Sequence, residues 1–146
     1  MRKIEYIAVH CTAGSQRQTI SDLQAEFRRK GWKNPGYHYV VSPDGKITQL
    51  LDEEKISNGV KGFNSVTVNV AYIGGIADGK AADNRTDAQK KSLRQLLANL
   101  KKKYPEAVVQ GHRDFSPDTN GNGKVDAWER IKECPCFDAK EEYRDL

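Results

Sequence analysis

Three short runs rich in Val and Ile, separated by two helix-start signatures, restrict this chain more than any other feature. Ile4 to Val9, Val66 to Ile73, and Val108 with Val109 have the composition of buried strands. Between the first two runs, Ser-Asp-Leu-Gln from Ser21 forms a capping box. It opens a helix that pairs Leu23 with Phe27 on one face and ends at Lys30-Gly31. Between the second and third, Thr-Asp-Ala-Gln from Thr86 opens a longer helix with the stripe Leu93, Leu96, Leu97, Leu100 and with Pro105 beyond its end. Tyr37 to Ser42 and Lys46 to Leu51, joined by Pro43-Asp44-Gly45, predict a hairpin. Its alternation puts Tyr37, Tyr39 and Val41 on one face and His38 and Val40 on the other. The segments 56–64 and 78–85 read as loops, and Phe137 to Leu146 as a final helix with Asp138 near its start. Strands and helices intermingle, so the predicted class is α/β: one domain over 1–146, with a central mixed β-sheet flanked by helices.

Composition excludes several functions. The chain has 146 residues, 37% apolar and 30% charged, with a net charge of +4 and both signs interspersed. That charge suits an anionic polymer such as cell wall without selecting it. A nucleic-acid partner is not expected, since there is no basic stripe or aromatic binding motif. No apolar run approaches the roughly 18 residues of a membrane span, and MRKIEYIAVH is too short and polar for a secretory signal. Synthesis in the cytoplasm and a monomeric state are the expectations. Cys11, Cys134 and Cys136 do not read as a disulfide framework; a reducing compartment or a metal-held thiol is simpler.

The segment Gly111 to Asp138, GHRDFSPDTNGNGKVDAWERIKECPCFD, carries two metal signatures, one inside the other. The inner one, Asp118 to Glu129, fits the twelve-residue calcium loop at every constrained position. Asp118, Asn120 and Asn122 offer side-chain oxygens, Gly123 makes the turn, Lys124 offers its carbonyl, and Asp126 and Glu129 complete the set. With Phe115-Ser116-Pro117 before it, this is a lone EF-hand-like loop, an insertion over 116–131 with only an exiting helix. Structural Ca2+ there is expected to brace the residues that follow.

The outer signature is His112 before the loop and Cys134 after it, nitrogen and sulfur donors that suit Zn2+. His10, like His112, follows an apolar strand, and strand ends are where open α/β sheets place their sites. Two imidazoles and one thiolate leave a fourth position open, the arrangement of a catalytic zinc. Cys136, two residues after Cys134, is a rival ligand. His38 is expected to face away from Tyr37 as a supporting residue, and Cys11 to point into packing.

The ordered set VHCTA, GW followed by GYHYVV and DG, KGFN with IGGI, GHRD, and finally K-x-C-P-x-F-D resembles the zinc-dependent N-acetylmuramoyl-L-alanine amidases of the phage-lysozyme type, related to the peptidoglycan recognition proteins. The resemblance spans nearly the whole chain outside the calcium-type loop. It implies an amidase fold and hydrolysis of the amide between N-acetylmuramic acid and the L-alanine of peptidoglycan. It assigns His10, His112 and Cys134 as zinc ligands and chooses Cys134 over Cys136. It also assigns Tyr37 and Lys132 as catalytic residues, placed as donors to the oxyanion or the leaving amine. Relatives of the phage type carry a histidine beside the K-G-[FY]-N segment, where this chain has Gly59. The expected setting is a phage or prophage lysis enzyme that reaches the wall after release or export. The competing reading is a module that holds muropeptide without cutting it.

Overall fold

The computed structural model describes residues 2–116, 125 and 133–146. Apart from Val125, the predicted calcium loop lies outside the described residues, as does Lys132. Among the described residues the strands and α-helices are, in chain order, β1 (Tyr6–Cys11), α1 (Ile20–Arg29), β2 (Tyr39–Val41), β3 (Ile47–Gln49), β4 (Thr67–Tyr72), β5 (Ile76–Ala77), β6 (Lys80–Ala81), α2 (Asp87–Lys103), β7 (Val108–Gly111) and α3 (Ala139–Glu142). Five strands form one mixed sheet in the order β3-β2-β4-β1-β7. β1 runs parallel to both β4 and β7, β2 parallel to β4, and only β3 is antiparallel. All of β4 is buried, as a strand covered on both faces must be, and its run of Val, Ala and Tyr is the sequence such burial selects.

Strand alternation divides the core in two. Ile7, Val9, Val68 and Val70 meet Leu93, Leu96, Leu97 and Leu100 of α2 on one side. On the other, Leu23 and Phe27 of α1 pack with Val40 and Ile73. Ala8, His10, Asn69 and Ala71 occupy the intervening positions of β1 and β4 and are all buried. Gln89 of α2 donates to the carbonyls of Val41 (3.1 Å) and Ile73 (2.9 Å), satisfying buried backbone where the strands end.

The Thr86–Gln89 capping box forms as predicted. The first helix starts earlier than its signature: Thr19, not Ser21, is the cap. Its hydroxyl accepts from Asp22 N at 3.1 Å and Asp22 answers by accepting from Thr19 N at 2.9 Å. Thr-x-x-Asp competes with Ser-x-x-Gln, and the earlier start brings Ile20 onto the α1 cluster. The predicted hairpin forms as β2 and β3, but the ladder begins only at Tyr39, after bends at Gly36 and His38. Tyr37 therefore packs with Val40 rather than with Tyr39 and Val41, opposite to the alternation expected. The final helix is a single turn capped by Asp138, not ten residues. The small β5–β6 hairpin runs into the segment predicted as a loop, 78–85. Its turn is Asp78-Gly79, both at positive φ (51° and 75°), and the Asp-Gly pair was the available signal.

Candidate metal centre and its groove

His10 lies within β1, one residue before the strand ends, not beyond it. Gly111 closes β7, and His112 opens the short 3-10 turn His112–Phe115. The register Val9↔Gly111 sets these two histidines side by side at the C-terminal edge of the sheet, with ring centroids 4.8 Å apart. Cys134 arrives from the other side of the sequence. Arg113 N donates to Cys134 O at 2.8 Å, Tyr72 Oη to Pro135 O at 2.7 Å, and Cys11 N to Cys134 Sγ at 3.1 Å. A Cβ at Gly111 would stand 2.6 Å from Pro135 Cδ, so only glycine lets this segment lie so close to β7.

His10, His112 and Cys134 each offer one ligand atom, and these atoms all lie within 4.8 Å of one another. Two imidazoles and a thiol suit a borderline-soft divalent ion, and arms of about 2.0–2.3 Å reach a common centre after small side-chain rotations. The donor set therefore fits a metal. The Cys11 contact first, and burial second, push the Cys134 thiol well above its ordinary pKa; a divalent cation against the sulfur reverses this by stabilising the thiolate. Cys136 stays outside the cluster. Burial pushes its thiol up to about 12, and its sulfur lies 3.9 Å from that of Cys11, which packs into the core as expected.

Tyr37 stands at the edge of this cluster. Its ring centroid is 5.2 Å from that of His10, and its hydroxyl points at Cys11 O, 3.4 Å away. Burial, with the sulfurs of Cys134 and Cys11 next, raises its pKa well above that of a free phenol, so it remains a proton donor. Lys132, the other predicted catalytic residue, is outside the described residues.

His38 is fully buried and supports the site from beneath. Its Nδ1 accepts from Asn69 N at 3.0 Å and its Nε2 donates to Lys55 O at 2.8 Å. Arg2 Nη2 is 3.3 Å from that nitrogen but donates to Glu53 O at 2.5 Å. Burial lowers the His38 pKa and keeps the ring neutral. Sequence reasoning missed Asn69, whose Oδ1 lies 2.8 Å from His10 Nε2. One polar residue inside the run Thr-Val-Asn-Val-Ala-Tyr was the signal, since a buried strand keeps an amide only when it is hydrogen-bonded.

A cavity of about 180 Å³ reaches His10, His112 and Cys134 between α1 and the end of the sheet, with Tyr37, Glu26 and Phe27 in its wall. It shares Lys30, Trp32, Asn58, Gly59 and His112 with a larger groove of about 520 Å³, whose floor includes Phe63 and Phe115 and whose rim includes Lys61. That volume is in the range of sites for small or extended ligands. Phe27 stacks on Trp32 and Lys30 lies over the Trp32 ring, which fixes the α1 wall.

Two histidines and a cysteine thus cluster at the sheet edge as a donor set that could hold a metal ion, and they open to a cationic and aromatic groove. Residues 1–136 match the family model described as N-acetylmuramoyl-L-alanine amidase. The endolysin of Klebsiella phage KP32 is 34% identical over 137 residues, covering 92% of this chain and 82% of its own. The solved Ph2119 endolysin from the Thermus scotoductus MAT2119 bacteriophage superposes with a TM-score of 0.72 at 28% identity, over 92% of this chain and 79% of that one. Drosophila PGRP-LB, at 18% identity, shares the fold with a TM-score of 0.69 over 99% of this chain and 80% of its own. The chain belongs to the N-acetylmuramoyl-L-alanine amidase family. Its activity is that of a peptidoglycan amidase.

Proposed function

We propose that this amidase cuts the bond between N-acetylmuramic acid and L-alanine with a Zn2+ ion held by His10, His112 and Cys134. The observation that carries the reading is the convergence within 4.8 Å of three donor atoms, one from the N-terminal strand and two from the last quarter of the chain. When bound, zinc supplies a Lewis acid that polarises the scissile carbonyl and brings the pKa of water to about 7. The chain's own residues do the rest. Tyr37, kept protonated by burial, offers its hydroxyl as a hydrogen-bond donor to the oxygen that gains charge as the amide is attacked. Lys132, two residues before Cys134, is assigned the second, cationic donor; the sequence resemblance alone supports that role. Trp32, Phe63 and Phe115 give the glycopeptide an apolar bed, while Lys30 and Lys61 suit the carboxylates of the stem peptide.

The setting that fits is lysis of a cell wall by a phage or prophage enzyme, as the endolysin names of its relatives suggest. Among the described residues no helix is long and apolar enough to cross a membrane. Calcium in the 118–129 loop rests on the sequence pattern alone, and a calcium titration of the zinc-loaded protein tests it.

Purified cell wall incubated with the enzyme should lose turbidity and release new L-alanine amino termini. A chain that binds wall but releases none would be the non-catalytic binding module instead.

A further inference from the structure

We infer that Asn69 is the positioning residue of the centre, fixing which nitrogen of His10 meets the metal, and that Gly59 is what gives it room. This rests on the zinc assignment to His10.

The argument is one of hydrogen-bond direction. The Lys55 carbonyl can only accept, so His38, 2.8 Å away, must carry its proton on Nε2. The Asn69 backbone N–H can only donate, and it points at His38 Nδ1, which agrees. Ser57 Oγ is 3.2 Å from that same Nδ1, which carries no proton, so the hydroxyl can be only a longer, second donor sharing the lone pair with the Asn69 N–H. The Ser57 oxygen is thereby left to accept, and Asn69 Nδ2 donates to it at 2.7 Å. That fixes the amide the other way round for His10: Asn69 Oδ1 faces Nε2 at 2.8 Å and accepts. His10 must then hold its proton on Nε2, which places the ring's lone pair on Nδ1. A chain that starts at a backbone carbonyl thus sets the tautomer of a ligand several groups away. Every member from Ser57 to His10 is at most 1% exposed, so water does not relax the constraint.

Gly59 completes the device. A Cβ there would stand 2.3 Å from both Cγ and Oδ1 of Asn69, inside any tolerable contact. The Asn69 amide occupies the space that a side chain at 59 would enter. Gly59 is therefore paired with the buried asparagine in β4.

Nitrogen NMR of the His10 ring in the full chain, as purified and with added Zn2+, tests this directly. The proton should sit on Nε2 in both; a proton on Nδ1 overturns the inference without any variant being made. Zn2+ affinity, measured by competition with a chelator, gives the second readout. Asn69→Leu should bind Zn2+ about 10–100-fold more weakly, and Gly59→Ala should be weakened in the same direction. Asn69→Asp, which keeps an acceptor against His10 but loses the donor to Ser57, should bind Zn2+ more tightly than Asn69→Leu. A folded Asn69→Leu that binds Zn2+ like wild type overturns the inference. If Asn69→Leu does not fold, Gly59→Ala and the wild-type ring proton decide. If wild type binds no Zn2+, the zinc reading fails by itself, and the position of the ring proton still decides this one.

Discussion

The two faces of the central sheet are built from the same strands by opposite rules. Toward α2, alternate residues of β1 and β4 are Ile7, Val9, Val68 and Val70, packed on a leucine stripe. Toward α1, the residues between them include His10 and Asn69, equally buried but polar and hydrogen-bonded. The first face stabilises by area removed from water and is indifferent to direction. The second is stable only if each donor finds its acceptor, so it fixes orientation as well as position. The proposed metal centre lies where the second face runs out at the strand ends.

Substitutions should separate the two faces cleanly. The largest effect is expected at the ligands: Cys134→Ser and His112→Ala should lose Zn2+ and lower wall lysis to background, with circular dichroism unchanged. Tyr37→Phe should keep Zn2+ but lower kcat by about 10²–10³-fold, the cost of one donor to a developing oxyanion; steady-state turnover on purified wall measures it. Leu97→Ala, on the apolar face, should do the reverse. It should cost about 2–5 kcal/mol of stability in urea unfolding while Zn2+ affinity stays put.

The smallest effect is pH dependence. Burial holds the folded-state pKa of His38 below its ordinary 6.5. The unfolded chain then binds the extra proton as pH falls through about 6.5, so this contribution to stability is complete above that pH and declines below it. The pH profile of unfolding for wild type minus that of His38→Asn should contain this step; coincident profiles would remove it.

Much of the apolar face was readable. The leucine stripe and the Thr86 box of α2 obey local rules, and the structure follows them. The Thr19 cap was misplaced because two boxes overlap within three residues and the choice depends on where Ile20 is buried. The convergence of His10, His112 and Cys134 could be named from the resemblance, but their closeness depends on register, on Gly111, and on hydrogen bonds from Arg113 and Tyr72. Asn69 was overlooked for a related reason. Its partners His10, Ser57 and His38 are spread over 59 to 12 positions, and no local pattern joins them. Tyr37 lies beside His10 but on the face opposite to the one expected, since alternation holds only where a ladder exists.

The central claim is that three side chains hold one zinc ion that the hydrolysis requires. Metal content and lytic activity measured on the same sample test it most directly. Wild type should carry one zinc per chain, lose both zinc and lysis to a strong chelator, and regain both when Zn2+ is returned. A thoroughly zinc-free preparation that still releases L-alanine termini at the wild-type rate would contradict it.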